Sequence, residues 1–312
     1  MATFDPVRRR LIHSLAVASA GALAWRVIPA LAERGKILTR AIPRSGEAIP
    51  VIGLGTSQTF DFDVHGDAET RKAAVETLRA FFDAGLTVID TSPMYGRAEA
   101  VLGELLAEAD PKHRAFIATK VWKTGADAGR KQIDDSFRLL GRDRIDLIQV
   151  HNLVDVDTQL ATLQQMKRDG RIRYVGVTSS RDSAHADLVK QIERGTLDFV
   201  QVNYSLTERA AENTVLPAAA ANRVAVLVNR PYSRAGLFDR VKGRPLPAIA
   251  VQIGATSWAQ FALKWIVSHP AVTCAIPGTN DPKHMLDNIQ AGIGAMPDAA
   301  MRAKMVKEFE SI

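Results

Sequence analysis

Residues 69–110 read ETRKAAVETLRAFFDAGLTVIDTSPMYGRAEAVLGELLAEAD. Ala74, Leu78, Phe81 and Phe82 recur at helical spacing, and Gly85 supplies a stop. A short apolar run then ends abruptly at Asp90. A turn bearing Pro93 and Gly96 follows, carries Tyr95, and opens a second amphipathic stretch at Arg97. Helix, short buried strand, helix is the unit of a parallel sheet, because parallel neighbours need a crossover between them.

The same beat recurs along the chain. Short apolar runs fall at 52–55, 87–90, 116–120, 145–151, 174–179, 199–204, 225–229 and 273–277. Most are separated by amphipathic stretches of helical length. In 128–141, Ile133, Phe137 and Leu140 share a face that Gly141 ends, and 158–170 is built alike. Eight such units favour a closed (β/α)8 barrel, the TIM-barrel form of α/β fold, over an open doubly wound sheet. Ahead of them, RAIPRSGEAIPVIG (40–53) pairs apolar runs around Ser45 and Gly46 and predicts a β-hairpin across the bottom of the barrel. No Pro/Ser-rich linker or low-complexity tract marks a second domain. The irregular stretches 59–67 and 231–252 follow predicted strands and so belong at the mouth, where barrel enzymes work.

Apolar residues at 46% and charged residues at 24% are ordinary for a globular protein. The single cysteine, Cys274, excludes an internal disulfide and a cysteine-based zinc cluster, and its setting in AVTCAIP (271–277) reads as a buried, inert thiol. Of the formal net charge of +6, half sits in residues 1–32, where Arg8, Arg9, Arg10 and Arg26 stand against Asp5. The remainder has no basic run, which argues against nucleic-acid binding.

Residues 1–32 have the layout of an export signal. A basic cluster precedes an uncharged Ala/Leu-rich run from Ser14 to Trp25, and Ala22-Leu23-Ala24 and Ala30-Leu31-Ala32 are candidate cleavage patterns. Arg26 interrupts the run well short of the ~20 apolar residues of a membrane span. Arg8-Arg9-Arg10-Leu11-Ile12 resembles a twin-arginine signal, which implies the twin-arginine export machinery as a partner and a periplasmic or otherwise exported location. Cleavage after Ala32 would leave residues 33–312 as the barrel domain.

In a barrel, polar side chains at the C-terminal strand ends share one space. The second run ends in Asp90 with Tyr95 just beyond, the third in Lys120, the fourth in His151. One strand-end Lys or His is usually a satisfied structural residue, but four complementary groups on three consecutive strands form a set. A lysine favours a neighbouring phenolate, a carboxylate keeps the buried lysine charged, and a histidine can orient a carbonyl oxygen. Such a site hands a proton to a carbonyl oxygen. With no serine or cysteine nucleophile motif in the chain, the economical source of attack on the carbon is a cofactor hydride.

PVIGLGT (50–56), VIDTSPMYG (88–96), ATK (118–120), DLIQVH (146–151), GRIRYVGVTS (170–179), VQVNYSL (200–206) and AIPGTNDPKHMLDN (275–288) together resemble the aldo-keto reductases. The resemblance implies a nicotinamide cofactor, usually NADPH with NADH possible, lying across the mouth, and a small-molecule carbonyl substrate. It makes Tyr95 the proton donor, Lys120 its partner, Asp90 the counter-ion and His151 the orienting group. It places Gly55, Thr56 and Ser57 at the nicotinamide-ribose end, and Gln201, Thr178 and Ser179 at the carboxamide, Ser179 standing where the family has an amide. Asn229 takes the position of a stacking tyrosine, with Tyr232 three residues on, and Thr279, His284, Asp287 and Asn288 fall at the adenosine end. Gly278 and His284 replace a Lys and an Arg that often read the 2′-phosphate, which should weaken NADPH selectivity; Lys283 or Arg230 could compensate. Trp122, Phe60 and Phe62 are candidate pocket walls, and the chain closes on a helix with little tail.

Two functions follow: an exported carbonyl reductase, or a cofactor-holding binding or sensor protein with little turnover. A metal-dependent hydrolase is a distant third, since the strand ends offer no H-x-H or paired-carboxylate cluster.

Overall fold

A computed structural model describes residues 35–110 and 112–312; the expected export signal lies outside the described residues. A hairpin, β1 (Thr39–Ala41) and β2 (Ala48–Pro50), pairs Arg40 with Ile49 and precedes the barrel. The barrel strands are β3 (Leu54–Gly55), β4 (Val88–Asp90), β5 (Phe116–Val121), β6 (Ile145–His151), β7 (Ile172–Ser179), β8 (Phe199–Asn203), β9 (Ala225–Asn229) and β10 (Cys274–Ala275). All neighbours pair in parallel, in chain order. The seam closes between the first and last: Gly53 N–H donates to Ala275 O at 2.8 Å and Gly55 N–H to Pro277 O at 3.0 Å. Gly55 is required there, because a Cβ would lie 2.8 Å from Ile276 O.

The helices are α1 (Ala68–Asp83), α2 (Ala98–Ala109), α3 (Ala126–Leu140), α4 (Val156–Arg168), α5 (His185–Glu193), α6 (Val215–Ala221), α7 (Gly236–Val241), α8 (Trp258–Val267), α9 (Pro282–Gln290) and α10 (Ala299–Glu310). Asp67 caps α1 by accepting from Thr70 N–H at 3.0 Å, and the helix buries Ala74, Leu78, Phe81 and Phe82, the face its spacing predicts. The stretch 231–252, read as irregular, contains α7 and the start of a short 3₁₀ turn at Ala248–Ile253. Among the described residues no helix is long and apolar enough to cross a membrane.

Strand alternation sorts the apolar residues into two cores. Those facing out of the barrel, such as Ile117, Ile148, Val175 and Val200, pack with the helices. Those facing in, Val88, Phe116, Leu147, Tyr174, Phe199, Ala225 and Cys274, fill the lower barrel and meet Ile42 and Ile49 of the hairpin. The hairpin therefore plugs the bottom, and Tyr174 Oη donates to Ser45 Oγ at 2.9 Å to tie its loop down. Cys274 is fully buried in this lower core, where desolvation pushes its thiol up and out of reactive range. Toward the upper ends of β4, β5, β6, β8 and β9 the inward positions change from apolar to polar, reaching Asp90, Lys120, His151, Gln201 and Asn229.

Candidate active site

That change builds the site. On β5 the inward series Phe116, Ala118 ends in Lys120; on β6, Leu147 and Gln149 end in His151; on β4, Val88 ends in Asp90. The three strands are adjacent, so the chemistry-bearing residues converge without any long-range loop. Tyr95 comes from the turn after β4: its N–H donates to Ser92 O at 3.0 Å, and its own carbonyl accepts from Ala98 N–H at 3.1 Å as α2 begins.

Lys120 is 1% exposed and Asp90 3%. The ammonium donates to both Asp90 oxygens, at 2.8 and 2.7 Å, and to Thr91 O at 2.7 Å. Burial alone would discharge it; the Asp90 carboxylate beside it is the largest of the causes that outweigh burial and hold Lys120 above its ordinary value. Lys120 also stands 5.0 Å from the Tyr95 ring centroid and acts on the phenol first through its charge and then through a side-chain hydrogen bond. Burial pushes the Tyr95 phenol up, and the Lys120 charge offsets only part of it. The lysine acts in the direction the sequence implied, and desolvation is the larger effect, so Tyr95 stays protonated. His151, edge-on to Tyr95 with 6.3 Å between centroids, is lowered to about 3 by burial and then by Lys120, so its ring is neutral. Two uncharged donors beside a fixed cation suit protonation of a carbonyl oxygen.

Whether a nicotinamide fits can be read from the neighbouring strands. Gln201 Oε1 on β8 accepts from Gln149 Nε2 at 3.4 Å, while Gln201 Nε2 is buried beside Asp90 and has no close hydrogen-bond partner among the described residues. Asn229 Oδ1, ending β9, is a buried acceptor with no partner among the described residues. A carboxamide carries one acceptor and one donor group, and would satisfy both. Thr178 and Ser179 end β7 beside them, both 2% exposed, with Ser179 Oγ accepting from Arg181 N–H at 3.3 Å. Thr56 is locked to Asp90 O by its N–H at 3.0 Å and its hydroxyl at 3.1 Å, which leaves Ser57 exposed at the rim next to Gly55. Arg230 follows with a positive φ of 48° and donates to Ser180 O at 3.0 Å. The residues present fit the group.

The adenosine end is more self-contained than the sequence implied. Asp287 accepts from Ser257 Oγ and Gln260 Nε2, both at 2.6 Å, so each carboxylate oxygen is engaged within the protein. Asn288, 3% exposed, accepts from Tyr232 Oη at 2.5 Å, so Tyr232 packs inward here. Thr279 Oγ1 accepts from Asp281 N–H at 3.0 Å, and His284 is exposed. Of the three aromatic residues considered as pocket walls, Trp122, two residues after Lys120, is 38% exposed, Phe62 is half-buried against the core, and Phe60 is fully buried. Phe60 is thus a core residue, packed with the cluster that lies between strands and helices. The sequence reading assigned nothing to Ser92, Gln149 or Glu99. Ser92 stands between Asp90 and Tyr95, and Gln149 lies one strand period before His151, so alternation could have found the latter. Glu99 accepts from Thr119 Oγ1 at 2.5 Å and Ser136 Oγ at 3.0 Å, joining α2 and α3 to the strand that bears Lys120; only the fold reveals it.

Comparison with known proteins agrees with this geometry. Methylglyoxal reductase YeaE of Escherichia coli (strain K12) is 31% identical over 260 residues, covering 80% of this chain and 88% of that one. The NADH-specific methylglyoxal reductase of the same organism is 27% identical over 222 residues, 62% of this chain and 64% of its own. Among solved structures, an aldo/keto reductase from Klebsiella pneumoniae in complex with NADP and acetate superimposes with a TM-score of 0.73 at 26% identity, covering 88% of this chain and 95% of that one. A sequence profile described as Aldo/keto reductase family matches residues 51–305. With the barrel, its polar upper layer and this match over most of its length, the chain belongs to the aldo/keto reductase family.

Proposed function

We propose that the protein reduces an aldehyde or ketone with NAD(P)H, that Tyr95 is the proton donor, and that residues 1–32 direct the 33–312 barrel out of the cytoplasm by the twin-arginine route. The observation that carries the catalytic reading is the convergence of the Asp90–Lys120 ion pair, protonated Tyr95 and neutral His151 at three adjacent strand ends. Gln201 and Asn229 would hold the carboxamide of the cofactor, with Thr178 and Ser179 beside them and Gly55, Thr56 and Ser57 at the ribose end. The nicotinamide, when bound, would supply the hydride that the carbonyl carbon receives. The chain's own part is at the oxygen: His151 donates a hydrogen bond that orients it, and Tyr95 gives up its phenolic proton as negative charge develops there. Lys120 stabilises the resulting phenolate, and Asp90 keeps Lys120 charged without competing for the tyrosine.

The names of the relatives support a small carbonyl substrate and do not favour one nicotinamide over the other. The export reading rests on the Arg8–Arg10 cluster, the apolar run to Trp25 and the small-residue patterns that follow.

The test is a pair of measurements. Tryptophan quenching on titration with NADPH and NADH should saturate, and turnover should follow on a panel of small aldehydes and ketones. Tyr95→Phe should lose about 10²- to 10⁴-fold in kcat, the range of one general acid, with the cofactor Kd unchanged. Unimpaired turnover by that variant would remove Tyr95 from the role, and a folded protein that binds neither cofactor would remove the reductase reading.

A further inference from the structure

We infer that Ser92 is a positioning residue that fixes the tautomer of His151, so that the ring proton sits on Nε2. Ser92 lies in the turn between Asp90 and Tyr95 and is fully buried. Its hydroxyl has two contacts among the described residues. Met94 N–H donates to Ser92 Oγ at 3.1 Å, and His151 Nδ1 lies 3.4 Å from the same oxygen. A serine hydroxyl has one proton to give and lone pairs to receive. The Met94 contact uses it as an acceptor, since a backbone N–H can only donate.

The direction of the second contact then follows from hydrogen-bond accounting. If Nδ1 carried the ring proton and donated to Ser92, the hydroxyl would accept twice and its own proton would be stranded in a fully buried place. If the hydroxyl donates to Nδ1, each of the three groups is satisfied. A neutral imidazole has one N–H and one bare nitrogen, and His151 is held neutral by burial and Lys120. Nδ1 is therefore the acceptor and Nε2 the donor. Nε2 has no partner among the described residues, and neither it nor Tyr95 Oη is among the buried atoms sealed off without one. The two free donors of the site, Nε2–H and Oη–H, are thus both available to one carbonyl oxygen. The turn that presents Tyr95 also programmes the histidine, through a hydroxyl three residues before the tyrosine.

The inference deepens the reductase reading and rests on it for its catalytic consequence, but the tautomer can be observed independently of turnover. In the full-length protein with ¹⁵N-labelled histidine, the His151 resonances, assigned with His151→Gln, should show a bare Nδ1 and a protonated Nε2 across pH 5–9. A protonated Nδ1 in the wild type would overturn the proposal outright. In Ser92→Ala the Nδ1 signal should move toward tautomer averaging, and kcat/KM on a carbonyl substrate should fall about threefold to tenfold, the effect of one hydroxyl hydrogen bond, with the cofactor Kd unchanged. Ser92→Thr, which keeps the hydroxyl, should restore both. An unchanged Nδ1 signal in Ser92→Ala, or a rate loss that Ser92→Thr does not repair in a folded protein, would overturn it. A wild type that turns over no carbonyl yet shows the Ser92-dependent Nδ1 signal would support the tautomer assignment and sink the reductase reading instead.

Discussion

Acid should destabilise the folded protein, and His151 should account for a separable part of the loss. The ring is half-buried and lies near Lys120, and these two causes lower its folded pKa to about 3 from an ordinary 6.5. Below pH 6.5 the unfolded chain takes up a proton that the folded chain refuses. Stability from this group is therefore complete above about pH 6.5 and is lost as pH falls toward 3. Between pH 7 and pH 5 the unfolded histidine becomes almost fully protonated while the folded one stays neutral, which amounts to about 2 kcal/mol. His151→Gln has no ring to titrate and should not show that loss. The assay is urea unfolding of both proteins at pH 7 and pH 5, followed by circular dichroism. Every other titrating group is common to the two, so wild type should lose about 2 kcal/mol more than the variant over the interval. Equal losses would show that the folded site accepts the imidazolium. A charged His151 would then stand beside Lys120, and the pairing of two neutral donors against one cation would be wrong.

Gly278→Lys should raise the affinity for NADPH relative to NADH about tenfold, by supplying a cation for the 2′-phosphate. A Cβ there would meet Gly55 O at 3.3 Å, a tight contact that requires the backbone to give by a few tenths of an ångström, so the variant is first checked for native folding by circular dichroism; in a folded variant, a ratio unchanged in tryptophan-quenching titrations would show that the phosphate lies elsewhere. Replacing Arg8 and Arg9 together by Lys should leave the protein in the cytoplasm of a bacterial host, read by fractionation and immunoblot. Export undiminished by that change would refute the twin-arginine reading.

The proximity of the candidate site residues was legible because parallel barrels translate sequence into space simply. A strand end is a place at the mouth, and inward residues alternate, so Asp90, Lys120 and His151 on consecutive strands had to be neighbours whatever the details of packing. Eight apolar runs separated by helical periods likewise left little freedom in topology. The hairpin was announced by Ser45 and Gly46 in the same way.

The chain by itself also determined that Cys274 would be inert, since an apolar run on an inward strand leaves a thiol nowhere to ionise. Three things were decided only by tertiary structure. Whether Tyr95 is raised or lowered depends on how much water the folded mouth removes compared with how near the Lys120 charge stands, and neither quantity is written in residue types. Whether Asp287 and Asn288 face a ligand or the protein depends on Ser257, Gln260 and Tyr232, which reach them from 27 to 56 positions away. Whether Phe60 lines a pocket or fills the core depends on the path of a loop without periodicity. Local pattern specifies what alternation and helical spacing can place; competition between desolvation, charge and distant hydrogen-bond partners is settled by the folded chain.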